Sequence, residues 1–294
     1  STGLLARTSS ADPVPADGPR AKHDAIVGAV RTTARGHLAA VTNLGRMVRL
    51  SALELPTLPA TAGAPNLSGG APIAAYVDLG KKERVLTIAA IDPQAPSLAL
   101  GTAHGVVKRV VADYPVGRTE WEAIALKDGD ELVGAVELGS EAMDMVFITA
   151  QAQLLRFPAS AVRPQGRAAS GMAGIRLGSG DRAIFFGAVG DEEGAVVVTA
   201  SGSSGALPGT EPGSLKVTPY AEYPAKGRGT GGVRAHRFLK GEDQLILAWA
   251  GATPARASAA NGVALELPAA DGRRDGSGTP AKAIIAAISG PVRA

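Results

Sequence analysis

A chain of 294 residues can hold one large domain or two ordinary ones. Its 38 glycines and 20 prolines exclude a mainly helical protein, because both destabilise helix interiors. The absence of cysteine excludes disulfides and thiolate metal sites, and a net charge of only +3 is too small to argue for a nucleic-acid partner by itself. No run of about eighteen apolar residues is available to span a membrane. The first residues lack the segments of a signal peptide. The composition predicts a cytoplasmic all-β protein.

In chain order, residues 1–8 read as the turn and return strand of a hairpin whose outgoing strand is missing. An unpaired edge is a liability, so the chain is expected to continue upstream in its natural form. A regular hairpin follows over 38–42 and 46–50, turning at Asn43-Leu44-Gly45. The pattern recurs at 97–102 with 106–110, and at 145–149 with 153–157. A fourth pair, 195–199 with 214–218, spans a glycine-, serine- and proline-rich insertion at 202–213. The fifth, 255–258 with 263–267, turns at Asn261-Gly262. A base near the end of each return strand falls at one register, so these side chains should face one way. Glu266 takes that place in the last.

Aliphatic runs at 26–30, 73–79, 85–91, 132–138, 183–189, 244–250 and 282–288 predict strands buried on both faces. One hairpin with two such strands makes a four-stranded unit. The spacing gives six units in a single domain, 1–294, at approximately 1–33, 34–83, 84–131, 132–182, 183–243 and 244–294. The alanine- and proline-rich 55–70 is a loop inside the second unit. Radial four-stranded units predict a propeller-like disc with short, protected edges.

The recurring feature is a glycine–arginine loop. Its fullest copy is Tyr223-Pro224-Ala225-Lys226-Gly227-Arg228-Gly229-Thr230-Gly231-Gly232-Val233-Arg234. Others are Tyr114-Pro115-Val116-Gly117-Arg118, Gly166-Arg167-Ala168-Ala169-Ser170-Gly171 and Gly272-Arg273-Arg274-Asp275-Gly276, with a weaker relative at Gly18-Pro19-Arg20-Ala21-Lys22. Acids collect in other turns, at 128–131, 180–181, 191–193 and 242–243. Stacked in register, the two sets would give a nearly neutral chain a positive stripe. Glycine lets backbone N–H groups and a guanidinium approach phosphate closely, and such contacts fix position without reading sequence. The candidate duplex contacts are Arg46, Arg49, Lys108, Arg109, Arg118, Arg156, Arg163, Arg167, Lys226, Arg228, Arg234 and Arg273, with Lys216 on a second tier. The bland alternative is solvated turn arginines, with return-strand bases lying along blade edges.

Catalysis finds no support, and no catalytic residue or metal ligand is assigned. His23, His37, His104 and His236 are scattered singly. Gly202-Ser203-Ser204-Gly205 and the 227–231 loop lack the following helix that a nucleophile elbow or a dinucleotide loop needs. Asp128-Gly129-Asp130 is too short for a calcium loop. Tyr114 and Tyr223 each precede proline in equivalent places and read as structural.

Several stretches resemble the C-terminal domain of the A subunit of bacterial type IIA topoisomerases, DNA gyrase and topoisomerase IV. They are Thr102-Ala103-His104-Gly105-Val106-Val107-Lys108-Arg109, Lys127-Asp128-Gly129-Asp130-Glu131-Leu132-Val133-Gly134, the run from Leu155-Arg156-Phe157 to Gly171-Met172-Ala173-Gly174-Ile175-Arg176-Leu177-Gly178, and Ala221-Glu222-Tyr223-Pro224. The resemblance covers the chain in repeat order and implies a six-bladed β-pinwheel whose rim binds and bends duplex DNA. It implies a non-catalytic module with no cofactor of its own, since ATP and magnesium serve other parts of the holoenzyme. The implied partners are double-stranded DNA, the rest of the A subunit, and the ATPase B subunit in an A2B2 assembly. The implied location is the cytoplasm, at the nucleoid. The cleaving tyrosine of the family belongs to a breakage domain that this chain does not contain. The place of the gyrase heptapeptide, about 16–23, lacks the glycine-rich basic pattern, which favours a topoisomerase IV type or a divergent gyrase. A protein-interaction propeller of RCC1 or WD type is the rival reading.

Overall fold

The computed structural model describes residues 2–10, 15, 18–59, 63, 65–190, 193–207 and 209–292. All five complete hairpins form. His37–Thr42 pairs with Arg46–Ser51, Ser97–Thr102 with Val106–Val110, and Asp144–Thr149 with Gln153–Pro158. Ala195–Gly202 pairs with Ser214–Pro219, and Arg256–Ser258 with Ala264–Leu265. The hairpin turns need a left-handed residue just before the return strand, supplied by Gly45 (φ 76°) and Gly105 (φ 78°) and, in the third hairpin, by Ala152 (φ 56°).

Each hairpin takes as its inner strand the next long strand after it in the chain: Val85–Ala90, Leu132–Leu138, Ala183–Val189, Gln244–Ala252 and Ala287–Ser289, in order, so the expected unit boundaries fall one strand early in the first four. The outer edge comes from the next repeat. Glu120–Glu122 joins the first hairpin, Pro164–Gln165 and Met172–Ala173 the second, Val233–Arg234 the third and Thr279–Pro280 the fourth. Each of these four blades is therefore clasped by its successor, which protects edges that a free sheet would expose.

The cores lie between blades. Val41 and Met47 of the first pack with Leu98, Leu100 and Trp121. Ala99 and Val107 of the second pack with Phe147, Phe157 and Phe186. Val146 and Leu154 meet Val197, Tyr220 and Tyr223, and Val198 and Leu215 meet Ala257 and Ile288. Alternation along each strand sends successive side chains to opposite neighbours, so one strand serves two cores.

Five blades form among the described residues, not the expected six. Among the described residues, no outgoing strand pairs with the return strand of the first unit. Its return strand, Leu4–Leu5, makes only a two-residue ladder with Ala71–Pro72. Residues 26–30, expected as a strand, are extended chain without a ladder, and 73–79 begins as a 3-10 turn over Ile73–Ala75. The inner strands are not buried on both faces as expected. Their side chains line an axial channel of about 630 Å³ bordered by Leu86, Val133, Phe185, Trp249 and Ile288, with Ile26 completing the circle.

The ring nevertheless closes. Residues 20–24 lie against the fifth blade in the position that a donated edge takes elsewhere. The His23 N–H donates to Gly262 O (2.8 Å), and the Arg20 guanidinium donates to Ala257 O (2.7 Å) and Leu265 O (3.2 Å). Asp24, 3% exposed, binds both Arg20 (2.7 Å) and the buried Arg256 (3.2 Å). The other seams add basic ties such as Arg109–Glu141 to an apolar core; this one is closed by two arginines on one buried carboxylate.

Candidate nucleic-acid interface

Counting from the turn residue, Arg49, Arg109 and Arg156 occupy the fourth position of their return strands, and all three face the next repeat as their common register requires. Arg109 and Arg156 do not face solvent, and Arg49 is half-buried. Arg109, 6% exposed, binds Glu141 at 2.5 Å and the Val162 carbonyl at 3.3 Å. Arg156, also 6% exposed, binds Asp144 at 3.1 Å and lies 4.7 Å from the centre of the Tyr220 ring. Arg49 donates to Pro115 O (2.7 Å) and Arg118 O (3.1 Å) and covers Trp121. Arg7 holds the equivalent place in the first unit and donates to Leu55 O.

Lys108 and Lys216, one position earlier, are buried. The Lys108 ammonium donates to Ala123 O, Arg167 O and Ala169 O at 2.7–2.8 Å, and burial pulls its pKa down to about 8. Lys216 donates to Arg273 O (3.0 Å) and Arg274 O. Arg46 is tied to Glu83 (2.9 Å) and Glu120 (2.5 Å), and its bond to Glu83 holds that carboxyl at about 2. Of the bases expected as duplex contacts, Arg49, Lys108, Arg109 and Lys216 therefore tie one repeat to the next, as Arg156 does through Tyr220, while Arg46 is held by carboxylates of its own blade. Strand alternation puts Arg49, Arg109 and Arg156 on one face and Arg46, Lys108 and Lys216 on the other, but does not reveal what packs against either.

The remaining candidates form a different set. Arg118, Arg163, Lys226, Arg234 and Arg273 are exposed, and Arg167 and Arg228 are partly so. All seven lie in or beside the segments that each repeat donates to the outer edge of its predecessor, so they recur at blade corners around the perimeter. Among the described residues Arg118, Arg163, Arg167, Lys226, Arg228 and Arg234 make no ion pair, while Arg273 meets Asp271 at 3.6 Å with its own side chain 82% exposed. Arg228 is braced on Ala173 O (2.5 Å) and Ala161 O (3.1 Å), and Lys226 on Gly231 O (3.0 Å). Sequence reasoning missed Arg274 beside Arg273, and Arg176, whose N–H donates to Thr230 O of the same corner.

Comparison with known proteins agrees with this architecture. The family described as DNA gyrase C-terminal domain, beta-propeller, matches residues 144–189 and 209–246. The DNA gyrase A protein of Escherichia coli K12 is 33% identical over 201 residues, 67% of this chain and 21% of that protein. Its counterpart from Mycobacterium tuberculosis H37Rv is 35% identical over 211 residues, 70% of this chain and 23% of that protein. The chain belongs to the DNA gyrase C-terminal domain family. It spans about a fifth of the length of these relatives. Two solved structures share its fold. The C-terminal domain of DNA topoisomerase IV has a TM-score of 0.69 at 18% identity, over 86% of this chain and 78% of that one. The DNA gyrase A C-terminal domain gives 0.64 at 19%, over 88% and 83%.

In this gyrase-type domain three of the acidic turns lie against hairpin turns, whereas Asp271 and Asp275 share the Arg273 corner loop. Asp130 accepts from His104 N–H, Asp181 from Gln151 N–H, and Asp243 from Ser204 N–H, so these acidic turns cap the hairpin turns. Asp191 and Glu192 lie outside the described residues. The segregation of charge is therefore partial: acids satisfy turn amides in three hairpins, arginines occupy the donated corners, and the Arg273 corner mixes the two.

One corner carries an acid-sensitive anchor. His236, 2% exposed, pairs through Nδ1 with Thr199 Oγ1 (2.9 Å), and its Nε2 accepts from Gly278 N–H (3.3 Å). Burial, then the nearby Lys216 charge, lowers its pKa to about 4 from 6.5. The unfolded chain therefore binds the proton first. Stability from this group is full above pH 6.5 and lost as pH falls toward 4. We expect Tm to fall more steeply between pH 6.5 and 4.5 in the parent chain than in His236→Asn, measured by circular dichroism.

Proposed function

We propose that this chain is the non-catalytic, duplex-binding and duplex-bending module of a type IIA topoisomerase A subunit. The observation that carries the reading is the recurrence at successive blade corners of exposed or half-exposed arginines, all but Arg273 without an ion pair among the described residues, each in a segment braced by the neighbouring blade. Such a perimeter presents charge to a polyanion that curves around it. Smooth bending of 20–30 base pairs costs on the order of 1–6 kcal/mol, which several phosphate contacts offset. None of these groups is placed to read base edges, so binding should be indifferent to sequence.

In the holoenzyme, the module hands a DNA segment to the gate. Cleavage by tyrosine, magnesium binding and ATP turnover reside elsewhere, in the breakage domain and in the B subunit of an A2B2 assembly. The missing heptapeptide pattern near 16–23 favours bending without a strongly fixed hand of wrap. Fluorescence anisotropy with a short duplex across a salt series tests the reading. The expected logarithmic slope is about −0.9 per phosphate neutralised, several units in all; a slope near zero would contradict it.

A further inference from the structure

Three of the blade-to-blade ties share a geometry that ordinary packing does not require. In each, a base from a return strand donates to the backbone carbonyl of the corner arginine in the next repeat: Arg49 to Arg118 O, Lys108 to Arg167 O, and Lys216 to Arg273 O. A trans peptide points its C=O and the following N–H in opposite directions. Turning these three carbonyls inward therefore turns the N–H groups of Thr119, Ala168 and Arg274 outward. None of the three donates to any acceptor among the described residues. Thr119 and Ala168 are exposed, and Arg274 is partly so.

We propose that Arg49, Lys108 and Lys216 are positioning residues that shape three anion cradles. Each cradle combines the outward N–H of Thr119, Ala168 or Arg274 with the side chain of Arg118, Arg167 or Arg273, and takes one phosphodiester oxygen. Outward backbone amides beside a cation form an anion-binding concavity. The best-built is the second, where Lys108 also holds Ala169 O at 2.7 Å and so turns the Ser170 N–H outward as well. The third is weakened by the carboxylates of Asp271 and Asp275 in the same loop. A cation beneath the corner gives each site its shape without itself reaching the ligand.

This inference rests on the duplex-binding reading, and two experiments separate them. Titrating the chain with inorganic phosphate should shift the amide resonances of Thr119, Ala168 and Ser170, and a short duplex should shift the same signals further. Lys108→Met should raise hydrogen exchange across 166–171 at least tenfold and weaken duplex binding about tenfold. Because it acts through the loop, Lys108→Met combined with Arg167→Ala should bind no more weakly than the worse single variant, a non-additive cycle. Duplex binding with all three amides unmoved, or additive losses in the cycle, would overturn the cradle. Amides that respond to phosphate in a chain that binds no duplex would uphold the cradle and sink the function proposed above. The amide titration needs only the parent chain, so it stands if Lys108→Met fails to fold.

Discussion

Reversing charge at Arg118, Arg167 and Arg273 together, each to Glu, is expected to weaken duplex binding on the order of a hundredfold or more. The reason is placement. These side chains lie at the corners of three donated segments, and of the three only Arg273 forms an ion pair among the described residues. Each lost phosphate contact should flatten the salt dependence by about 0.9 logarithmic units, so three should remove nearly 3. Folding should be untouched, because the structural hydrogen bonds of these residues run through backbone carbonyls rather than guanidinium groups. A melting temperature within about 2 °C of the parent, beside the lost affinity, is the combined signature. Arg156→Ala should do the reverse. It removes the partner of Asp144 and the cation over Tyr220, so stability falls while the salt slope of the folded fraction stays the same.

The second large effect is at the ring's closing seam. Asp24→Ala should cost about 3 kcal/mol, since breaking a buried ion pair strands the remaining charges in a poor solvent. Asp24 is the carboxylate held by both Arg20 and Arg256, its side chain only 1% exposed. Burial pushes its pKa up, but the bonds from Arg20 and the Ala21 N–H outweigh that and leave it below the usual 3.8. The corresponding stability is present above pH 3.8 and disappears as pH falls through the lowered folded value. A 3 kcal/mol loss lowers Tm by roughly 6–12 °C in a chain of this size. Hydrogen exchange should rise first in Arg256–Ser258 and its partners, because the seams elsewhere do not depend on Asp24.

How much of this is legible in the sequence follows from the range of each interaction. The hairpins can be read because a tight turn and two alternating runs are local information. The donated edges cannot, because Glu120–Glu122 pairs with Arg46–Ser51 across more than sixty residues and is only three residues long. The same blindness misassigns the return-strand bases. Arg109 and Lys108 carry the right charge at the right register, yet a segment some fifty residues away decides that they are buried. The corner loops are recognisable because glycine and arginine density survives without any partner. Spacing gives six units, but among the described residues Leu4–Leu5 pairs only with Ala71–Pro72, and no sheet of blade size forms there. The run at 73–79 is apolar for packing on the first blade, which a 3-10 turn serves as well as a strand.

The central claim, that a duplex follows the blade corners in order, is tested most directly by tethered cleavage. The chain has no cysteine, so single cysteines at the exposed Val116, Ala168, Ala225 and Gly272 can each carry an iron chelate that cuts nearby DNA. The account predicts strong cuts whose positions advance along one duplex from Val116→Cys through Ala168→Cys and Ala225→Cys to Gly272→Cys, with little cutting from Ser179→Cys near the acidic turns. Cuts of equal strength from Ser179→Cys, or positions that do not follow the order of the corners, would contradict it.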